Sequence, residues 1–231
     1  MHRILIHIVL ALCIVLGLTA QENKSVKIRN VAIFVYDGVD ILDLAAPGEI
    51  FSNVVIQTTD RNKYKVFNVY LVSLDNKHVK SKGFLSINPN FTVFDCPKPD
   101  IVVIPGGEIE SMVNNYKFNK WLKYSTPQCC SIIGIGTGTY ALANAGLLDD
   151  HHAAVWDGAD EVFKKAFPNV KLDHNVIFTE SENMYTTAGS AGSIELCLHV
   201  VRKLYGRYAA SNVAEYINYR SWNDSSDLFK K

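Results

Sequence analysis

The sequence predicts an α/β protein with a mostly parallel sheet and helices on both faces. Short apolar runs alternate along the chain with segments of helical periodicity, an alternation that is typical of parallel sheets. Residues 130–148 show it most clearly, because an apolar run too short for a helix leads through Gly136-Thr137-Gly138 into strong helix formers. We call residues 136–138 the elbow. Ligands of such sheets bind at the carboxyl ends of the strands, which makes the elbow the first candidate site.

The elbow has two interpretations. The N–H groups at a helix N-terminus converge there with the positive end of the helix dipole, so Gly136, Thr137 and Gly138 would stabilise an anion, a carbonyl oxygen or a carboxylate. The alternative is an ordinary strand-to-helix turn in which glycine only provides tightness. The motif alone does not decide between them.

The first half of the chain predicts two strands, a helix and an edge excursion. Residues 31–36 are an apolar run that ends at Asp37-Gly38, as expected for a strand followed by a tight turn. Pro47 predicts the first turn of a short helix, where a residue without an N–H is tolerated. Residues 66–74 predict a second strand. A proline and alternating apolar residues within residues 83–92 predict short strands at a sheet edge.

The second half begins with the most apolar strand. Residues 101–104 predict a buried strand that brings Gly106 and Gly107 to the same sheet edge as the elbow. Apolar spacing and stop signals such as Pro168 define the remaining elements. These are helices over residues 159–167, 194–205 and 209–217 and a strand over residues 184–187.

Composition restricts the domain organisation and the partners. The chain has 231 residues, of which 48% are hydrophobic, and we expect one domain, although the length permits two small ones. Lys and Arg together number 23, as do Asp and Glu, so the formal charge is zero. There is no basic run and no zinc-finger spacing in the sequence, and we therefore expect no nucleic-acid partner.

Residues 1–20 are predicted to be a secretory signal peptide. A weakly basic start with Arg3 precedes an apolar run, and a small-residue cleavage site ends at Ala20. The alternative is an uncleaved membrane anchor, but the apolar run is at the short end for spanning a bilayer. We therefore expect a single domain over residues 21–231, a secreted or periplasmic location, and no stable membrane association after cleavage.

Export would change the interpretation of the cysteines. Four follow the predicted signal peptide: Cys96, Cys129, Cys130 and Cys197. In an oxidising compartment they could pair in three ways, but we expect Cys130 and Cys197 to be small buried hydrophobes because a core of this size needs no disulfide. The pair His151-His152 is predicted to lie in a solvated turn. Since no residues show metal-ligand spacing, we expect no metal site.

Four motifs in order resemble the DJ-1/PfpI superfamily: residues 42–51, residues 100–107, the elbow with residues 143–148, and Thr187-Ala188-Gly189. The resemblance covers nearly all of residues 30–220 and is greatest to the branch of isocyanide hydratases and ligand-sensing domains of AraC-type regulators. It implies a flavodoxin-like three-layer α/β sandwich, also called class I glutamine-amidotransferase-like, that commonly forms a homodimer. We expect no cofactor.

The sequence departs from the family at the residue that carries its chemistry. Catalytic members have a cysteine at the elbow, in a sequence like Cys-Thr-Gly, whereas this chain has Gly136-Thr137-Gly138. The nucleophile of such an elbow is held in a strained backbone conformation that glycine adopts freely. Many relatives also have a histidine after the following helix, at the position of Trp156. Cys129 and Cys130 are predicted to lie too far from the elbow to replace the thiol.

The resemblance also identifies a pocket for a small polar ligand. Asp43 matches the acidic residue beside the thiol of isocyanide hydratases, and Gly106 and Gly107 match the N–H donors of the family's oxyanion site. Gly136, Thr137 and Trp156 complete the predicted lining. Asp43 could instead be a helix cap.

Three functional classes follow. We favour a non-catalytic module that binds or senses a small molecule. The second is a hydratase or hydrolase in which Asp43 acts as general base without a covalent thiol step. The third is an interaction protein that functions through the family-type dimer surface.

Overall fold

The computed structural model describes residues 26–219 except residues 60, 76 and 157. The predicted signal peptide lies outside the described residues. Within residues 26–219, no helix is both long enough and apolar enough to cross a bilayer.

A seven-stranded sheet forms the centre of the described part of the chain. In spatial order its strands are β12 (Phe178–Ser181), β13 (Met184–Thr187), β9 (Ser131–Ile135), β8 (Ile101–Ile104), β1 (Arg29–Phe34), β4 (Phe67–Ser73) and β7 (Phe91–Thr92). Neighbouring strands are parallel except β12, which pairs with β13 in the antiparallel direction. The predicted mostly parallel sheet is confirmed.

Seven α-helices occur in the described residues, together with a 3₁₀ turn at Thr126–Gln128. They are α1 (Ile41–Ser52), α2 (Glu110–Val113), α3 (Tyr116–Ser125), α4 (Gly138–Asn144), α5 (Asp160–Ala166), α6 (Gly192–Tyr205) and α7 (Arg207–Tyr216). Three small two-stranded sheets are also present: β2 (Val55–Gln57) with β3 (Lys63–Lys65), β5 (Val79–Lys80) with β6 (Ser86–Ile87), and β10 (His152–Ala153) with β11 (Lys171–Leu172).

Two hydrophobic cores cover the two faces of the sheet. Successive residues of a strand point to opposite faces, and β8 follows this rule: Val102 and Ile104 join one core, whereas Ile101 and Val103 join the other. Helices α3, α4 and α5 pack into the first core, and α1, α6 and α7 pack into the second. The protein is therefore the expected three-layer α/β sandwich.

Helix α1 differs from its predicted form. We expected Pro47 in the first turn, but the helix begins at Ile41 and Pro47 lies in its interior. The start is fixed by tertiary hydrogen bonding: the N–H of Asp40, just before the helix, donates to the carbonyl of Gly106 over 2.9 Å. Proline removes one intrahelical hydrogen bond at its position, and the packing of Ile50 and Phe51 in the core compensates for it.

The environment of Cys130 was also predicted incorrectly. Cys197 is buried as expected, but Cys130 is exposed and Cys129 is buried instead. Cys130 lies one residue before β9, where the chain is still at the surface, and its thiol donates to the Asp100 carbonyl over 3.3 Å. The four cysteines of the described residues are all free thiols.

Candidate functional site

Three adjacent parallel strands bring the candidate residues to one edge of the sheet. Asp43 lies in the first turn of α1 after β1, Gly106 follows β8, and the elbow follows β9. Because β1, β8 and β9 are neighbours in the sheet, the segments that follow them meet. The sequence-predicted residues Asp43, Gly106, Gly107, Gly136 and Thr137 therefore form one cluster.

The elbow has the backbone conformation that the sequence predicts. Gly136 has a φ of +53°, in the left-handed region. A Cβ added at Gly136 would find one neighbour within 4 Å, the Oδ2 atom of Asp43 at 3.5 Å. The site therefore has space for a side chain beside the carboxylate. Gly138 is different, because a Cβ there would lie 2.0 Å from the carbonyl oxygen of Ile104.

Asp43 is a buried carboxyl group with one free oxygen. It is 1% exposed, and its Oδ2 accepts the N–H of Gly106 over 2.9 Å, whereas Oδ1 has no hydrogen-bond partner in the described structure. Burial raises the pKa of Asp43 above its ordinary value of 3.8, while Ser190 and Gly106 partly oppose the rise. Of these two opposing groups, Ser190 has the larger effect.

The helix-cap interpretation of Asp43 is wrong. The residue before α1 is Asp40, which makes no side-chain cap hydrogen bond, and Asp43 is the third residue of the helix. Its carboxylate is directed across to the loop after β8, where it holds the Gly106 N–H. Asp43 thus joins two segments of the cluster.

The two N–H groups predicted as oxyanion donors are both engaged within the protein. Gly106 donates to Asp43, and the N–H of Gly107 donates to Oγ1 of Thr137 over 2.9 Å. The Thr137 hydroxyl donates in turn to the Gly107 carbonyl, also over 2.9 Å. By contrast, the N–H groups of Thr137 and Gly138 have no acceptor among the described residues. The free donors of the cluster therefore belong to the elbow itself.

Trp156 is the remaining residue of the predicted pocket lining. Its side chain is 59% exposed, and the contacts that join Asp43, the two loop glycines and the elbow do not include it. The carbonyl of Thr187, at the end of β13, accepts the N–H of Gly136 over 3.0 Å.

A polar cavity beside Thr187 was missed by the sequence analysis. It has a volume of about 330 Å³ and is lined in part by Asp160, Asp173, His174 and Ala188. His174 contacts Asp160 over 2.8 Å, and His152 contacts Asp173 over 2.9 Å. His152 lies on strand β10 and not in the predicted turn. The sequence does not reveal these two His–Asp pairs, because each joins residues that are more than ten positions apart. Among the described residues no set of three or more His, Cys, Asp or Glu side chains could hold a metal ion.

None of the four cysteines in residues 26–219 lies at the elbow. Burial raises the pKa of Cys129 to about 12 and also raises that of Cys197, which is fully buried. Cys130 is separated from the elbow by the five residues of β9, which span about 3.3 Å each. The described cysteines therefore do not supply a nucleophile there.

Comparison with known proteins identifies the family. The DJ-1/PfpI family matches residues 29–203. This chain belongs to the DJ-1/PfpI family. The mostly parallel sheet and three-layer fold agree with this assignment.

Its curated relatives include regulators and an enzyme. The chain is 24% identical to the HTH-type transcriptional regulator GbdR of Pseudomonas aeruginosa over 199 residues, which are 86% of this chain and 53% of the regulator. It is 22% identical to an isonitrile hydratase of Pseudomonas putida over 192 residues, which are 82% of this chain and 78% of the enzyme. The chain thus spans about half the length of the regulators that it matches.

Solved structures of other family members share the fold. A ThiJ/PfpI family protein from Pseudomonas syringae superimposes with a TM-score of 0.75 at 19% identity, covering 90% of this chain and 82% of that one. Drosophila melanogaster DJ-1beta superimposes with a TM-score of 0.71 at 16% identity, covering 83% and 98% respectively. These likenesses support the flavodoxin-like architecture.

Proposed function

We propose that this protein is a member of the DJ-1/PfpI family that has no thiol at the elbow and binds a small polar molecule there. The observation that carries the proposal is the geometry of Gly136. Its left-handed backbone is kept and there is space for a side chain beside Asp43, but the residue is glycine. From the resemblance to catalytic family members we infer that a cysteine stands at this position in an active enzyme, so the elbow would keep the shape of an active site without its nucleophile.

The polar groups of the cluster define the ligand that would fit. The N–H groups of Thr137 and Gly138 are free donors, and Oδ1 of Asp43 is a free, buried acceptor. A small molecule with both an acceptor and a donor, such as an amide, would satisfy these groups. Leaving a buried carboxylate oxygen without a partner costs free energy, so binding would remove an existing penalty.

A second candidate function is hydration or hydrolysis without a covalent thiol step. Asp43 favours it, because a buried carboxyl with a raised pKa is suited to general-base catalysis, and a relative is an isonitrile hydratase. The hydrogen bonds of Gly106 and Gly107 weigh against it, since these N–H groups already have acceptors and only the elbow N–H groups could stabilise developing negative charge.

The biological setting is part of the proposal. We infer a secreted or periplasmic protein from residues 1–20, and a homodimer from the family resemblance. A sensing role would parallel the regulators to which the chain is similar, but those proteins are about twice as long as the matched region.

The experiment compares wild type with Asp43→Asn, using the exposed Asp149→Asn as the matched control. Thermal-shift and calorimetric binding would be measured with isocyanides, α-oxoaldehydes and small amides, and turnover would be followed in parallel. We expect saturable binding that Asp43→Asn weakens and Asp149→Asn does not, without turnover. Turnover by wild type that Asp43→Asn abolishes would overturn the binding proposal in favour of the second function.

A further inference from the structure

We propose that a second site, remote from the elbow, binds a neutral saccharide. The site is a groove of about 480 Å³ between helix α7 and the β2–β3 sheet, which we call the α7 groove. Its helical wall presents Tyr208, Asn212 and Tyr216, and its sheet wall presents Gln57 and Lys63. None of these residues belongs to the elbow cluster.

The helical wall is an exposed aromatic face. Tyr208, Asn212 and Tyr216 are spaced by four residues and therefore share one side of α7. The opposite side of the helix is buried through Ala210 and Val213. Tyr208 is 73% exposed and Tyr216 is 64% exposed, so two large rings stay in solvent on a helix that is otherwise packed against the core.

The sheet wall is set by strand register. Gln57 lies directly opposite Lys63 in the antiparallel β2–β3 pair, and Val55 lies two residues before Gln57. Residues in these positions share one face of a sheet, which is the face that lines the groove. The apolar Val55 and the polar pair beside it give this wall a mixed character.

Of the three amide side chains that line the groove, two are held by hydrogen bonds to other described residues and one is not. Asn53 donates through Nδ2 to the Glu49 carbonyl over 2.8 Å, and Gln57 donates through Nε2 to the Arg61 carbonyl over 3.2 Å. These bonds fix both side chains and direct their oxygens as acceptors. Asn212 makes no hydrogen bond to any described residue, so its side chain supplies both a donor and an acceptor.

The charges of the groove favour a ligand without net charge. Lys63 and Glu215 both line it and carry opposite charges. The residues that line the groove therefore carry no net formal charge. The groove offers both hydrogen-bond donors and acceptors around two aromatic rings. These groups are the three side-chain amides, the two tyrosine hydroxyls, Lys63 and Glu215. A pyranose needs these groups: its apolar C–H face packs on an aromatic ring, and its hydroxyls each donate and accept.

The α7 groove is separated from the elbow by the length of α1. Asp43 is in the first turn of that helix, whereas Asn53 follows its last residue. The ten intervening steps rise about 1.5 Å each, or roughly 15 Å in total. The two sites therefore do not share a ligand, and saccharide binding does not depend on the function proposed for the elbow.

The test is calorimetric titration of the full chain with chito-, cello- and malto-oligosaccharides. We expect at least one series to bind, with ring contacts visible by saturation-transfer NMR. Tyr208→Ala and Asn212→Ala should each weaken binding by at least about tenfold, as expected for a central contact. The matched control is Tyr124→Ala, because Tyr124 is 77% exposed on α3 and does not line the groove.

Each result has a defined consequence. Absence of binding for all three series at millimolar concentration would overturn the proposal, as would equal losses in Tyr208→Ala and Tyr124→Ala. Asp43→Asn should leave saccharide affinity unchanged, so a failure at the elbow is distinguishable from a failure at the groove. Both tyrosines are surface residues, and circular dichroism would verify that the variants are folded.

Discussion

At the scale of single residues, the two elbow glycines are required for different physical reasons. Gly136 needs conformational freedom for its φ of +53°, whereas Gly138 needs the absence of a Cβ, which would lie 2.0 Å from the Ile104 carbonyl oxygen. We expect Gly136→Ala to lower the free energy of unfolding by about 1–2 kcal/mol, the cost of a left-handed residue with a Cβ. Gly138→Ala should lower the free energy of unfolding by more than about 3 kcal/mol, because the backbone at Ile104 would have to move to make room for the added Cβ. Urea denaturation of both variants measures this, and equal losses would contradict the described elbow.

Asp43 should give the protein a specific pH dependence of stability. Its pKa in the folded state is raised above the ordinary 3.8, mainly by burial. The folded state therefore holds this proton more tightly, and the associated stability is present at acid pH and lost as pH rises through the raised pKa. Asp43→Asn removes this loss. The free energy of unfolding of Asp43→Asn, relative to that of wild type, should increase from about pH 3.8 upward and become constant above the raised pKa.

Chemical denaturation at a series of pH values measures that difference. Asp149→Asn is the control, because Asp149 is exposed and lies outside the elbow cluster. A difference for Asp43→Asn that stays constant across the range would show that the folded carboxyl titrates normally.

The sequence was sufficient to find Asp43 and Gly136 but not the hydrogen bonds around them. Motif order and the glycine pattern locate both residues, because each residue follows a strand that is recognisable in the sequence. The bond from Gly107 to Thr137 depends on the distance between two loops that are 30 residues apart. Which donors remain free is therefore a property of tertiary structure, and the predicted oxyanion pair at Gly106 and Gly107 could not have been tested without it.

At the scale of elements, helix α3 depends on its N-terminal cap. The side chain of Asn115 accepts the N–H groups of Lys117 and Phe118 over 3.0 and 3.2 Å. Asn115→Ala should lower the free energy of unfolding by about 1 kcal/mol, a typical cost for losing a cap. The neighbouring Asn114→Ala is the control, because Asn114 follows the end of α2 and its side chain takes no part in the cap of α3. Thermal denaturation compares the two, and equal effects would contradict the capping role.

The elements that were missed lack the signal that identified the others. Strand β12 has the sequence Phe-Thr-Glu-Ser and is buried only in its first half, so it does not stand out as an apolar run. Helix α3 was detectable, since Phe118, Trp121, Leu122 and Ser125 are buried at helical spacing. Its many polar residues concealed that pattern. The buried strands were predicted well because residues covered on both faces leave a continuous apolar run.

At the scale of the whole molecule, an exposed apolar patch lies where α1 begins. Phe84 is 86% exposed, Leu42 is 49% exposed and Leu85 is 41% exposed. A Cβ at Gly83 would lie 3.4 Å from Ile41, which shows that this loop packs against the helix start. Exposed patches of this kind mark interaction sites. If the proposed homodimer uses this surface, Phe84→Ser should shift the protein toward the monomer.

Size-exclusion chromatography with light scattering measures that shift. The control is Tyr116→Ser, a 75% exposed aromatic residue on α3. A monomeric wild type would contradict the homodimer, and a dimer unaffected by Phe84→Ser would place the interface elsewhere.

We propose that glycine at position 136 leaves an elbow that binds a ligand but does not catalyse its conversion. The most direct measurement compares wild type with Gly136→Cys for consumption of an aryl isocyanide, followed by absorbance, with ligand binding measured on the same samples. The Cβ of the introduced cysteine would lie 3.5 Å from the Asp43 carboxylate, where the cluster can position a thiol. We expect binding without turnover by wild type and measurable turnover by the variant. Wild-type turnover equal to that of the variant would contradict this proposal.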